Sequence, residues 1–110
     1  MDELDRAAIY RLHAQFCKTL SNANRLLIIA ELAKGEVSVN EIAQRLQLRQ
    51  ANVSKHLGLM KERGLVMARR EGTTVYYALS DPRIIEAIKL LKEVQADQIE
   101  QQYSLAQGSP

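Results

Sequence analysis

A mainly α-helical domain with one small β-hairpin is what this sequence predicts: a winged helix-turn-helix of about five helices, with a two-stranded wing between the fourth and fifth. Three observations carry that expectation. Two short helical stretches lie about three residues apart, the first opening at Ser38 and the second following Leu48. The second has an apolar stripe on one side and small polar groups on the other. A glycine stop at Gly64 then leads into two β-branched, basic runs that turn at Gly72.

The elements follow in order. Over residues 3–19, Leu4, Ala8, Leu12, Phe16 and Leu20 recur at intervals of four with Ile9 beside them, which predicts an amphipathic helix. Ser21 and Asn22 break the pattern and offer a capping oxygen to a second helix of about 23–34, ended by Gly35. Its Leu26, Leu27, Ile28, Ile29 and Ala30 are apolar nearly all round, as expected of a buried spine. Ser38 with Glu41 three residues on is a capping box, and it starts a short helix through Leu46. The fourth helix spans about 49–63, and the strands about 66–70 and 74–79, a wing of 66–79. Ser80-Asp81-Pro82 is a helix start, and Ile84, Ile85, Ile88, Leu91 and Val94 form the apolar face of a last helix reaching about residue 101. One domain of 1–101 and a frayed polar tail of 102–110 result.

Within the fourth helix, Val53, Leu57 and Met60 share one face, and Gln50, Ala51, Ser54, Lys55 and Gly58 share the other. The second face has almost no bulk. Such a helix can sit deep in a DNA major groove, where glutamine, serine and lysine reach base edges and phosphates. His56 borders the apolar face and reads as a packed or hydrogen-bonded histidine, and Asn52 lies between the faces. Gly72 permits positive φ at the hairpin turn, bringing Thr73 and the tip close to a minor groove. Arg69 and Arg70 alternate across their strand, so one of them reaches DNA in a given geometry.

Charge is distributed accordingly. The chain of 110 residues carries a net +2, yet residues 49–70 alone hold +5, residues 1–48 are balanced, and residues 71–110 carry −3. That concentration of base is the footprint of a surface that faces phosphate. The length is that of one domain with a modest core, and with no tryptophan and one phenylalanine the core is aliphatic. No apolar run reaches the roughly 18 to 20 residues of a membrane helix, and the acidic start Asp2-Glu3-Leu4-Asp5 is unlike a secretory signal, so a cytoplasmic, non-membrane protein is expected. The single cysteine, Cys17, excludes an internal disulfide and a multi-thiolate zinc site within one chain. Catalytic serine-histidine-carboxylate order and phosphate-binding glycine loops are lacking, so no enzyme is expected.

The chain resembles the ArsR/SmtB family of winged helix-turn-helix repressors over about residues 15–80. The resemblance rests on Leu20-Ser21-Asn22-Ala23-Asn24-Arg25-Leu26, on Gln50 to Leu57, and on Arg69-Arg70-Glu71-Gly72 with Val75-Tyr76-Tyr77-Ala78-Leu79. It implies a dimeric, double-stranded-DNA-binding transcriptional repressor released by a metal or another small signal. It also carries a base-reading role onto Gln50, Ser54 and Lys55, which the helical wheel independently places outward. Arg49 departs from the family's serine or threonine at the helix cap; arginine cannot cap and is expected on phosphate. The family's thiolate metal site is missing, because Ser38 and Asn40 stand where cysteines would be, and the carboxylate-histidine site has Asp81 but no histidine after His56.

The expected DNA contacts are therefore Arg49, Gln50, Ala51, Ser54, Lys55, Arg69, Arg70, Gly72 and Thr73, with no metal and no cofactor. The terminal helices carry more apolar surface than so small a core can cover, which predicts a homodimer through Leu4, Ala8, Leu12, Ile84, Ile88 and Leu91. His13 and Cys17, one turn apart, are the candidate sensor pair; a structural thiol beside an exposed histidine is the alternative, and the effector is open. The competing function is a winged-helix protein-interaction module whose basic hairpin meets an acidic partner. A docking surface of that kind should show exposed aromatic or large apolar residues on the fourth helix, and Gln50, Ala51, Ser54 and Lys55 are neither.

Overall fold

The computed structural model describes residues 3–108, and the side chains of residues 5–106. Along them run α1 (Glu3–Leu20), α2 (Ala23–Leu32), β1 (Val37–Ser38), α3 (Val39–Leu46), α4 (Gln50–Glu62), β2 (Val66–Glu71), β3 (Thr74–Leu79) and α5 (Arg83–Gly108). The caps are those the sequence offers. Asn22 accepts the Arg25 N–H at 3.1 Å to start α2, and the Ser38 hydroxyl accepts the Glu41 N–H at 3.2 Å to start α3. The turn from α3 to α4 is closed by Gln47 in the left-handed region (φ 53°), with the Leu48 N–H donating back to the Ala43 carbonyl at 3.0 Å. At the end of α4, Gly64 takes φ 76° while the N–H of the buried Leu65 reaches the Met60 carbonyl at 2.9 Å, so the helix stops and its chain turns into the sheet in one step.

Two elements differ from expectation. The wing is not a lone hairpin: β1 pairs antiparallel with β3 (Val37 opposite Tyr77, Ser38 opposite Tyr76), giving a three-stranded sheet in the order β1-β3-β2. The hairpin itself pairs Val66 with Leu79 through to Glu71 with Thr74, leaving Gly72-Thr73 as a two-residue turn in which only Gly72 has positive φ (62°). The last helix runs seven residues past the expected boundary, so residues 102–108 are helical rather than a frayed tail. Gln, Ala, Leu and Tyr in that stretch present no stop signal before Gly108.

Ile28, Ile29, Ile42, Val53, Leu57, Met60 and Leu65 are fully buried and form the centre, where α2, α3, α4 and the start of β2 meet. Phe16 and Leu20 from α1, and Ile84 and Ile85 from α5, close it at the edge. Beyond that edge both terminal helices leave the core. The radius of gyration is 17.5 Å, against about 13 Å for a compact domain of this length.

This geometry sorts the residues expected at a dimer surface. Ile88 is a correction: at 7% exposure it belongs to the protomer's own core, because α5 lies against that core through its first turns. Ile84 is likewise half-buried against the core, and Ala8 is half-buried. Leu12 and Leu91, in contrast, are 65% and 68% exposed. Leu4 lies within α1, but its side chain is outside the described residues.

Candidate nucleic-acid interface

Core packing through Val53, Leu57 and Met60 fixes the rotation of α4, so its opposite face points away from the protein. Arg49, Gln50, Ala51, Asn52, Ser54 and Lys55 are all exposed. Arg49 occupies the cap position with extended backbone (φ −66°, ψ 137°) and makes no side-chain capping bond, as expected of a residue that can only donate. The start of α3, the exposed face of α4 and the tip of the hairpin converge. Ser38, Asn40, Gln50, Ser54, Thr73 and Thr74 line one concavity of about 150 Å³. Ser38, Asn40 and Thr74 were not among the expected contacts. Asn40 drew notice only as the residue in place of a family thiolate, and no local pattern joins it to a hairpin more than thirty residues later.

The two wing arginines part company. Arg69 donates from Nε and Nη2 to both carboxylate oxygens of Glu36 (3.1 and 2.7 Å) and from Nη1 to Glu71 (2.8 Å), and its guanidinium lies 4.8 Å from the centre of the Tyr76 ring. The hydrogen bonds from Arg69 hold the Glu36 carboxyl below its ordinary range, and Glu36 in turn raises the Arg69 pKa. Arg69 was expected on DNA; in the fold it is half exposed and pairs with Glu36, because the pleat points it toward Glu36 and Tyr76. Arg70 points to the other face, is exposed, and has no ion pair with the described residues. Gly72 and Thr73 at the tip are exposed beside it.

His56 is half-buried under α4, with Nδ1 3.4 Å from Nη1 of Arg25, so it is a hydrogen-bonded histidine as the wheel suggested. Burial, then the Arg25 and Lys55 charges, lower its pKa below 6.5. On α1, Cys17 Sγ lies 3.6 Å from His13 Nε2, and both side chains are exposed.

Comparison with known proteins agrees with this geometry. A family model described as a helix-turn-helix domain matches residues 20–69. The chain is 40% identical to a biofilm growth-associated repressor of Agrobacterium fabrum over 74 residues, 64% of this chain and 63% of that protein. It is also 40% identical to the transcriptional activator HlyU of Vibrio cholerae over 74 residues, 67% of this chain and 68% of the relative. Among solved structures, a homodimeric winged helix-turn-helix DNA-binding domain from Mycobacterium bovis superposes with a TM-score of 0.80 at 33% identity, covering 92% of this chain and 93% of the other.

Proposed function

The chain belongs to the ArsR/SmtB-like winged helix-turn-helix family of DNA-binding transcriptional regulators, and from that premise we propose how it engages an operator. Two copies of the chain bind a palindromic site, with α4 of each in successive major grooves. Gln50 and Ser54 read base edges, while Arg49 and Lys55 hold phosphates on either side and Ala51 allows the close approach. Arg70, Gly72 and Thr73 follow the adjacent minor groove. The observation that carries this reading is the single concavity formed by Gln50 and Ser54 of α4, Thr73 of the hairpin tip and Asn40 of α3. These polar groups from three elements line one concavity, and the exposed face of α4 carries no large apolar group for a protein partner.

The homodimer is supported by the apolar residues that the protomer leaves uncovered: Ile9, Tyr10 and Leu12 on α1 and Leu90, Leu91 and Val94 on α5. The regulator acts as a repressor, by occupying the operator. Its inducer is not bound at the family's metal sites, whose thiolate positions are Ser38 and Asn40 here. The test is binding to fluorescent duplexes, with the operator first selected from random DNA by the intact protein. Nanomolar binding to the selected duplex with strong salt dependence supports the proposal; equal affinity for selected and scrambled duplexes overturns it.

A further inference from the structure

One guanidinium ties the end of α1 to the recognition helix. Arg25, at the start of α2, donates from Nε to the Thr19 carbonyl in the last turn of α1 at 2.5 Å, and from Nη1 to His56 Nδ1 at 3.4 Å. Neither partner is a loose surface group. Thr19 is 4% exposed and its hydroxyl is already satisfied by the Gln15 carbonyl at 2.9 Å, and His56 is half-buried on α4 between the fully buried Val53 and Met60. Thirty-one positions separate Arg25 from His56, so the contact exists only in the folded arrangement of α1, α2 and α4. We propose that Arg25 is a positioning residue for operator recognition: it fixes the tilt of α4 against the end of α1, and His56 is the acceptor through which it does so. The inference rests on the reading of α4 as the DNA-reading helix and of α1 as the partner-facing one. Under that reading, Arg25 sets how far apart two recognition helices stand.

The chemistry fixes the protonation state. A guanidinium has only donors, so His56 Nδ1 must accept, which requires the neutral ring with its proton on Nε2. An imidazolium has no acceptor, and it would face Arg25 from α2 and Lys55 from its own helix, while α1 supplies the Thr19 carbonyl to the same guanidinium. Protonation therefore opens the tie. The ring pKa stands below 6.5 in the fold, so the neutral form is present near pH 7, and the folded state loses this contribution as pH falls below 6.5 toward the lowered value.

The experiment combines ring titration by NMR with binding to the operator duplex that the wild-type protein selects. His56 should titrate below the ordinary 6.5 in the Nε2–H tautomer, and Arg25→Lys, which keeps a charge but changes the fork, should move that value. His56→Ala should lower operator affinity about tenfold while leaving the salt slope unchanged, because no phosphate contact is lost. His56→Gln, whose amide oxygen can accept from Arg25 at any pH, should restore most of that loss and abolish the decline in operator affinity between pH 7.5 and 5.5 expected of the wild type. A His56 that titrates at 6.5 or above, or a His56→Gln protein with the wild-type pH profile, overturns the positioning role. Failure of the wild type to prefer its selected duplex would instead overturn the operator reading itself, and this inference with it; the ring titration then shows only whether the Arg25–His56 contact forms.

Discussion

The DNA-facing half of the molecule and its terminal helices are closed in opposite ways. From α2 through β3, apolar side chains turn inward and meet, the helix starts are capped by Asn22 and Ser38, and the charged Arg69 is satisfied twice over by Glu36 and Glu71. Along α5 the side chains at Leu90, Leu91, Val94, Ile99, Tyr103 and Leu105 are each more than half exposed. One region is finished within a single chain, and the other is finished only against something else. The difference teaches where a charge should be placed to separate folding from assembly, since Ile88 and Leu91, one helical turn apart on α5, fall on either side of the divide at 7% and 68% exposure.

The largest effect expected is that of Ile88→Glu. Burying an unpaired carboxylate in the core costs several kcal/mol, so this variant should lose its cooperative thermal transition by circular dichroism. Leu91→Glu should fold with the wild-type helical signal and run at the mass of one chain by light scattering, with operator affinity falling as the second recognition helix is lost. A folded Leu91→Glu protein of dimeric mass would remove α5 beyond residue 90 from the interface. A folded Ile88→Glu protein would dissolve the comparison altogether.

Within the DNA-facing half, effects should be smaller and should differ in kind. Gln50→Ala is expected to lose about 1–3 kcal/mol of preference for the operator over a scrambled duplex while leaving the salt slope intact. Lys55→Ala and Arg70→Ala should weaken both duplexes together and flatten log affinity against log salt by about 0.9 each. Arg69→Ala sharpens the contrast between neighbouring strand positions: its guanidinium is occupied by Glu36, so the slope should stay near the wild-type value. A slope change for Arg69→Ala equal to that for Arg70→Ala would return Arg69 to the phosphate backbone.

Legibility in the sequence followed the range of the interactions. Helix starts, the turn at Gly72 and the two faces of α4 depend on residues within a few positions of one another, and they were readable. β1 was not, because two residues carry no alternating signal and Ser38 had already declared itself a helix cap. Alternation alone does not separate Arg69 from Arg70; the Glu36 pairing that distinguishes them comes from 33 positions earlier. Ile88 and Leu91 share one apolar stripe in sequence, and only the angle at which α5 leaves the core separates them. The length of α5 exceeds the expected end near residue 101 because residues 102–108 are polar and without periodicity, yet their composition remains helix-forming.

The smallest effect expected lies at the joint between the two regions, where α5 begins. Asp81 accepts the Arg83 N–H at 2.9 Å and pairs with the Arg83 guanidinium at 2.7 Å, and these bonds lower its pKa from 3.8 to about 2. A carboxylate whose pKa is lowered in the fold stabilises it above the unfolded value, and the contribution is lost as pH falls from 3.8 through about 2. The pair is solvent-exposed, so water and salt screen it and the contribution is slight. Asp81→Asn keeps an oxygen for the Arg83 N–H while removing the charge, and thermal melts between pH 2 and pH 5 should show a shallower acid decline than the wild type at low salt, with the two curves converging in about 1 M salt. Identical declines at low salt would mean that the joint of α5 is held by Ile84, Ile85 and Ile88 alone, and that electrostatics has no part in how the open region is attached to the closed one.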